Sequence, residues 1–233
     1  MATGMQHTIK AFDDEIAELR RLIAEMGGRA EHAIRRAIEA LTRGDEATAA
    51  EIVAEDVEID RLESEVEKLA VRIIALRAPM ANDLRDVVAA LKIAGVVERI
   101  GDYAKNIAKR VAVTRKDRKI EPISVLPAMG QVATEMVRDA LDAFAARDAE
   151  KAAAVCKRDA QVDDFYDSLF RALVTYMIEN PPTITSAAHL LFVAKNLERI
   201  GDHATNVAEM VYFAATGEYL ADRERGGAGA TAQ

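Results

Sequence analysis

Four short motifs of one form, acidic-x-x-x-Asp, are spread along this 233-residue chain: Asp56/Asp60, Glu98/Asp102, Asp159/Asp163 and Glu198/Asp202. On a helix, positions i and i+4 share a face, so each motif aims two carboxylates the same way. Like charges so placed repel by about 0.2–0.5 kcal/mol unless something offsets them. Oxygen-only donors suit hard multivalent cations such as iron(III), Mn, Mg and Ca, and Zn is also admissible. Asn106 and Asn206 lie one turn further along the same faces and could add a carbonyl oxygen or a hydrogen bond behind the ligands. A single acidic pair on a long helix is ordinarily a solvated face, and ion pairs with Arg61, Arg99, Lys105 or Arg199 are the simpler account of any one motif.

These pairs need long helices to position them, and the chain supplies the pattern. Gly and Pro together number 17, so turns are few, which points towards long helices and away from a many-stranded sandwich or barrel. Turn signals fall at Arg43-Gly44-Asp45, Ala78-Pro79, Asp117 to Pro127, Arg147-Asp148, Asn180-Pro181-Pro182 and Gly217. Between them apolar residues recur at threes and fours, as in Ile59, Leu62, Val66, Leu69, Ile73 and Leu76. The spacing predicts an all-α chain of six helices over 8–43, 46–77, 81–115, 124–146, 149–178 and 184–216. Short connections make consecutive helices antiparallel neighbours. Gly27-Gly28 marks a potential kink in the first helix, and the tail from 218 to 233 should be disordered.

The chain also repeats itself. Glu98-Arg99-Ile100-Gly101-Asp102 returns as Glu198-Arg199-Ile200-Gly201-Asp202, followed by Ala104, Asn106 and Ala108 as Ala204, Asn206 and Ala208. Upstream, Asp56 to Asp60 is echoed by Asp159 to Asp163. Two copies of a three-helix unit, 1–116 and 117–217, follow as two tandem three-helix bundles. In an antiparallel hairpin, residues equidistant from the turn lie side by side. Both pairs of the first repeat centre on Pro79, and both pairs of the second centre between Asn180 and Pro181. Each repeat therefore gathers four carboxylates at one height, about 28 Å from its turn. Such a cluster would raise its members' pKa values, and a multivalent cation would offset the repulsion. The acidic residues flank the apolar seams, which places the site on the bundle surface in the groove between two helices. A ferritin-like di-iron centre is disfavoured, because none of His7, His32, His189 and His203 follows a Glu by three residues. Gly101 and Gly201, between the acidic residues, each accept about 1 kcal/mol relative to Ala, which suits a close backbone approach.

Composition narrows the function classes. A net charge of −8 argues against a nucleic-acid partner. The basic run Arg115-Lys116-Asp117-Arg118-Lys119 reads as a linker. The single cysteine, Cys156, allows no internal disulfide and reads as an apolar filler; His203 beside Asp202 reads as a surface residue. No stretch reads as a membrane span, and Asp13-Asp14-Glu15 precede any apolar run, so no signal peptide is expected. The chain is therefore expected in the cytoplasm. No phosphate loop, nucleophile elbow or zinc-protease motif is present, so an enzyme is not expected. The residues alone leave three readings open: a metal-binding adaptor, a metal-free helical scaffold docking basic partners on its acidic faces, and a metalloenzyme using clustered cations to activate water.

The repeated Glu-Arg-Ile-Gly-Asp-x-Ala-x-Asn-[Ile/Val]-Ala resembles the signature of the PhoU family of phosphate-signalling proteins. So do the corner Leu76-Arg77-Ala78-Pro79-Met80-Ala81-Asn82-Asp83-Leu84-Arg85, Leu91-Lys92-Ile93 and its counterpart Leu191-Phe192-Val193. The resemblance spans residues 5 to 217 and implies the same two three-helix bundles, usually as a homodimer. It implies multinuclear clusters, iron or zinc first with Mn, Mg, Ca or Ni also possible, held by Asp56, Asp60, Glu98, Asp102, Asp159, Asp163, Glu198 and Asp202. Arg85 corresponds to Thr185 in the second half, so contacts behind the ligands, and metal count or occupancy, are expected to differ there. The implied role is repression of the phosphate-starvation response and of phosphate uptake. Its implied partners are the ATPase subunit of the phosphate ABC transporter and the phosphate-sensing histidine kinase, met peripherally at the inner membrane.

Overall fold

The computed structural model describes residues 2–114 and 120–220 of the chain. The basic run at 115–119 and the tail from 221 onward lie outside the described residues. Of the rest of the tail, Tyr219 stacks on Phe213 with ring centroids 4.7 Å apart, and Leu220 packs on the core. The described residues are all-α. Helix α1 spans Ala2–Arg43, α2 Glu46–Glu55, α3 Val57–Arg77, α4 Asn82–Ala108 and α5 Val111–Thr114. After a 3-10 turn come α6, Leu126–Ala146, α7, Ala149–Glu179, and α8, Ile184–Thr216.

The six expected rods are all present, and two carry interruptions. The second tightens at Asp56, where the Ile59 amide donates to the Asp56 carbonyl at 2.9 Å in a 3-10-type bond. The third breaks after Ala108 and resumes as the single turn α5. Their counterparts α7 and α8 run through unbroken. The rods start and stop on local chemistry that the repeat copies. Asp45 caps α2 by accepting the amides of Ala47 and Thr48. Asp148 caps α7 by accepting that of Lys151. Gly44 and Arg147, the preceding residues, both adopt positive φ.

The two three-helix units are joined through one continuous core. Within each unit, α3 packs on α1 and α4, and α7 packs on α6 and α8. Between units, α1 packs on α6 and α4 packs on α8. Helices α1, α4, α8 and α6 thus close an inner ring, with α3 and α7 on its outside. The interior is filled by Leu19, Met26, Ile34, Ile93, Ile100, Met129, Met136, Leu197 and their neighbours, all essentially excluded from solvent. Cys156 is buried with them. No described helix is long and apolar enough to cross a membrane.

Gly27 of the glycine doublet serves the crossing of α1 and α6, and α1 continues through the doublet without a break. A Cβ on Gly27 would lie 2.2 Å from Leu141 Cδ1, and one on Gly130 would lie 1.9 Å from Ile38 Cδ1. The repeat relates the two contacts, so each helix inserts one branched side chain over the other's glycine. Gly28, by contrast, is exposed and a Cβ there meets nothing within 4 Å. Gly130→Leu should therefore lower the free energy of unfolding by about 1–3 kcal/mol through overpacking. Gly28→Ala should raise it by up to about 1 kcal/mol through helix propensity. Denaturant titration of both variants checks the contrast, and equal responses would contradict the close approach.

Candidate metal centre

The hairpin register brings the first set of carboxylates together. A Cβ on Gly101 would lie 3.6 Å from Asp56 Oδ1, and one on Gly95 would lie 3.5 Å from Glu63 Oε1. The Lys105 ammonium meets Asp56 Oδ2 at 2.5 Å. These facing pairs centre between residues 78 and 81, at the turn. Asp56, Asp60, Glu98 and Asp102 consequently stand within one another's electrostatic reach. Burial raises the Asp60 carboxyl above its usual range, Asp56 and Asp102 push the same way, and Lys105 opposes them. Burial also raises Glu98, helped by Asp102, Glu63, Asp60 and Asp56.

Asp56 departs from the expected surface position. It is only 8% exposed, because it sits at the break between α2 and α3 with Gly101 at its back. It also lines, with Gly101, Gly28 and His32, a cavity of about 370 Å³ between α1, α2 and α4. The built-in counter-ion is Lys105, whose ammonium bonds both Asp56 and Asp102. Burial works against its charge, but the hydrogen bonds to Asp102 and Asp56 hold it well above the ordinary lysine range. Arg61 belongs elsewhere, paired with Glu58 and Glu65.

The second set is built differently. Asp159 faces Gly201, where a Cβ would lie 3.5 Å from its Oδ1, and it accepts the Thr205 hydroxyl at 3.3 Å. Thr205 occupies the place of Lys105. Glu198 is paired instead with Lys195, which occupies the place of Gly95. Lys195 also lies over the Tyr166 ring at 5.3 Å, and Tyr166 stands where the first half has Glu63. Asp163 and Asp202 are exposed on the same faces of α7 and α8. Asn106 is half-buried one turn beyond Asp102, and Asn206 is exposed one turn beyond Asp202.

Arg85 is a correction. It bonds Asn82 and lies 3.0 Å from a Cβ placed on Gly217, at the end of α8. Thirteen residues of helix, about 20 Å, separate it from Glu98, so it stands behind no ligand. His203 also departs from expectation. Its ring is half-buried and meets Tyr103 edge-on at 5.2 Å, and burial together with Arg99 and Arg199 lowers its affinity for a proton. Glu63 and Lys195 are the residues that the acidic-x-x-x-Asp pattern passes over. Each lies three positions from a motif residue on the same face, and that spacing was the signal.

Among the described residues, no three His, Cys, Asp or Glu side chains already converge as a metal-binding group. The donor set nevertheless fits a hard cation. Asp56 and Asp102 already chelate a positive charge, and the glycine beside Asp56 leaves the room that a side chain would fill.

Comparison with known proteins agrees in sequence and in shape. A profile of the PhoU domain matches residues 23–111 and 126–211. The chain is 56% identical over 225 residues to the phosphate-specific transport system accessory protein PhoU homolog of Zymomonas mobilis, covering 97% of this chain and 95% of that one. It is 47% identical to the homolog of Caulobacter vibrioides, covering 92% and 94%. The crystal structure of PhoU from Pseudomonas aeruginosa superposes with a TM-score of 0.85 at 35% identity, covering 89% of this chain and all of that one. The phosphate transport system regulatory protein PhoU from Streptococcus pneumoniae gives 0.82 at 29% identity, covering 90% and 99%.

Two outcomes follow from the first carboxylate set. Lys105→Met leaves Asp56 buried without its ammonium and should destabilise chelator-treated protein by about 1–3 kcal/mol. Added metal should recover that loss, as thermal melts with and without metal would show. Glu98 works in the opposite sense. A carboxyl raised on folding binds more protons when folded, so it favours the fold at acid pH. That gain fades as pH rises from the ordinary glutamate value of 4.5 through the higher folded value. Glu98→Gln should thus be more stable than wild type in chelator at pH 7, with the difference closing towards pH 4. A variant less stable than wild type at pH 7 would contradict the crowding.

Proposed function

Since the chain belongs to the PhoU family, we propose that it serves the phosphate-specific transport system as a negative regulator of phosphate uptake and of the starvation response. In this reading it is a metal-binding adaptor, not a catalyst. It bridges the ATPase subunit of the phosphate ABC transporter and the phosphate-sensing histidine kinase. It works as a cytoplasmic homodimer that reaches the inner membrane through those partners.

The observation that carries the metal part is the mutual electrostatic reach of Asp56, Asp60, Glu98 and Asp102 across the α3–α4 hairpin, with two of the four already clamped on a cation. Asp159, Asp163, Glu198 and Asp202 are the corresponding ligands of the second half. A multinuclear iron or zinc cluster bound there would supply the positive charge that lets α3 lie on α4 and α7 on α8. The protein's own residues do the positioning. Gly101 admits Ile59, whose Cδ1 would lie 2.8 Å from a Cβ there, and Asp56 and Asp159 stand at ordinary contact distance beside Gly101 and Gly201. Lys105 and Lys195 hold the carboxylates until the cation arrives. Because the two halves carry their lysines at different places, they should differ in metal affinity or count.

Those same lysines favour a second reading, the metal-free scaffold. If they neutralise the clusters on their own, the remaining acidic faces dock basic partners, and binding weakens with salt and ignores chelators.

The metal reading is tested on protein purified without chelators, comparing wild type with Asp102→Ala/Asp202→Ala by elemental analysis. Iron or zinc at one or more equivalents per half is expected in wild type, with most of it lost in the variant. Equal metal in both would remove these ligands. The regulatory reading is tested in phosphate-replete cells lacking the gene, where a starvation reporter should rise and fall again on complementation.

A further inference from the structure

The carboxylate sites use the Glu and Asp of the repeated Glu-Arg-Ile-Gly-Asp segment and leave its arginine without a role. Arg99 and Arg199 are exposed and point away from the acidic clusters, to the seam where α4 packs on α8. The helices run antiparallel there. Arg110, just past the end of α4, meets His189 near the start of α8 at 2.8 Å, and Tyr103 meets His203 midway. Arg199 lies over the Tyr103 ring, 5.8 Å from its centroid. Arg99, with Arg199, lies within electrostatic reach of His203. The symmetry that exchanges the repeats passes between Gly101 and Gly201, so each copy of the motif delivers one guanidinium to the same pair of rings, Tyr103 and His203.

Those guanidiniums are unopposed. Arg61, on α3, is held by two glutamates, whereas among the described residues no carboxylate lies within 4 Å of Arg99 or Arg199. The ring between them is also short of a partner: His203 Nδ1 is shut away from solvent with no hydrogen bond.

We propose that Arg99 and Arg199 form an oxyanion site on the α4–α8 seam that takes a tetrahedral dianion of the phosphate class, with Tyr103 and His203 as its floor. The planar guanidinium fork matches two phosphate oxygens at once, and the cation–π contact with Tyr103 holds Arg199 at the seam before the anion arrives. Each half supplies one arginine, so occupancy ties the two halves together. The site names an input for the regulatory role proposed above, and it needs no metal. The same chemistry is offered by free inorganic phosphate and by a phosphoryl group carried on a partner's side chain.

The test uses full-length, chelator-treated protein titrated with inorganic phosphate and, separately, with phosphoserine, by calorimetry. Wild type should bind in a saturable way. Arg99→Gln and Arg199→Gln should each weaken binding about tenfold or more, and the double variant should abolish it, with unfolding midpoints unchanged. Arg99→Lys/Arg199→Lys, which keeps the charge and loses the fork, should fall between. Preference for inorganic phosphate identifies the free ion as the ligand, and equal or tighter binding of phosphoserine identifies a partner's phosphoryl group. No saturable binding of either by wild type, or wild-type affinity in the double glutamine variant, would overturn the proposal. Phosphate binding that persists when elemental analysis finds no metal on the carboxylates would separate this site from the metal reading.

Discussion

The constraint on which the rest of the structure depends is the crowding of like charge between neighbouring helices. Asp56, Asp60, Glu98 and Asp102 are placed at one height by a hairpin whose apolar seam cannot slip without exposing Ile59, Leu62, Ile93 and Val97. The fold therefore fixes the repulsion, and something must answer it. Raised carboxyl pKa values on Asp60 and Glu98 are one answer, and the ammonium of Lys105 is another. A multivalent cation does the same work with more charge in less space. Carboxylate crowding, the lysine clamp and the metal binding we propose are thus three aspects of one electrostatic problem.

The internal repeat gives this problem two different solutions. Lys105 becomes Thr205, Gly95 becomes Lys195, and Glu63 becomes Tyr166. The first half keeps a denser acidic set with its cation at the centre. The second half relaxes the set and keeps its cation at the edge, against an aromatic face. The backbone follows the same division. The helix bearing Asp56 breaks at that residue, while the helix bearing Asp159 does not. Meanwhile α4 and α8 turn their other faces to each other, so each of these two helices carries acid on its outer side and an arginine along the seam.

Much of this was legible in the sequence, and the reason is periodicity. Helix ends at Arg43, Arg77, Ala146 and Glu179 follow from Gly, Pro and Asp signals that act locally. The register of both hairpins follows from the turn position alone, because an antiparallel pair leaves no other freedom. The break at Asp56 carries no Gly or Pro and was hidden; it coincides with the tertiary contacts of Asp56 to Lys105 and Gly101. The merging of two bundles into one core was equally hidden, since an Ala-rich inner face packs alike against a partner within its repeat or across repeats. Arg85 was misplaced because a motif's closeness in sequence says nothing about which end of a long helix it marks. Glu63 and Lys195 were missed because a search at i+4 spacing skips the i+3 neighbours that share the same face.

The central claim is tested most directly by an anomalous diffraction map of crystals grown with iron or zinc. The account predicts strong peaks in both halves, one among Asp56, Asp60, Glu98 and Asp102 with Lys105 swung aside, and one among Asp159, Asp163, Glu198 and Asp202. Metal-laden crystals showing no peak at either place, with Lys105 still bridging Asp56 and Asp102, would contradict it.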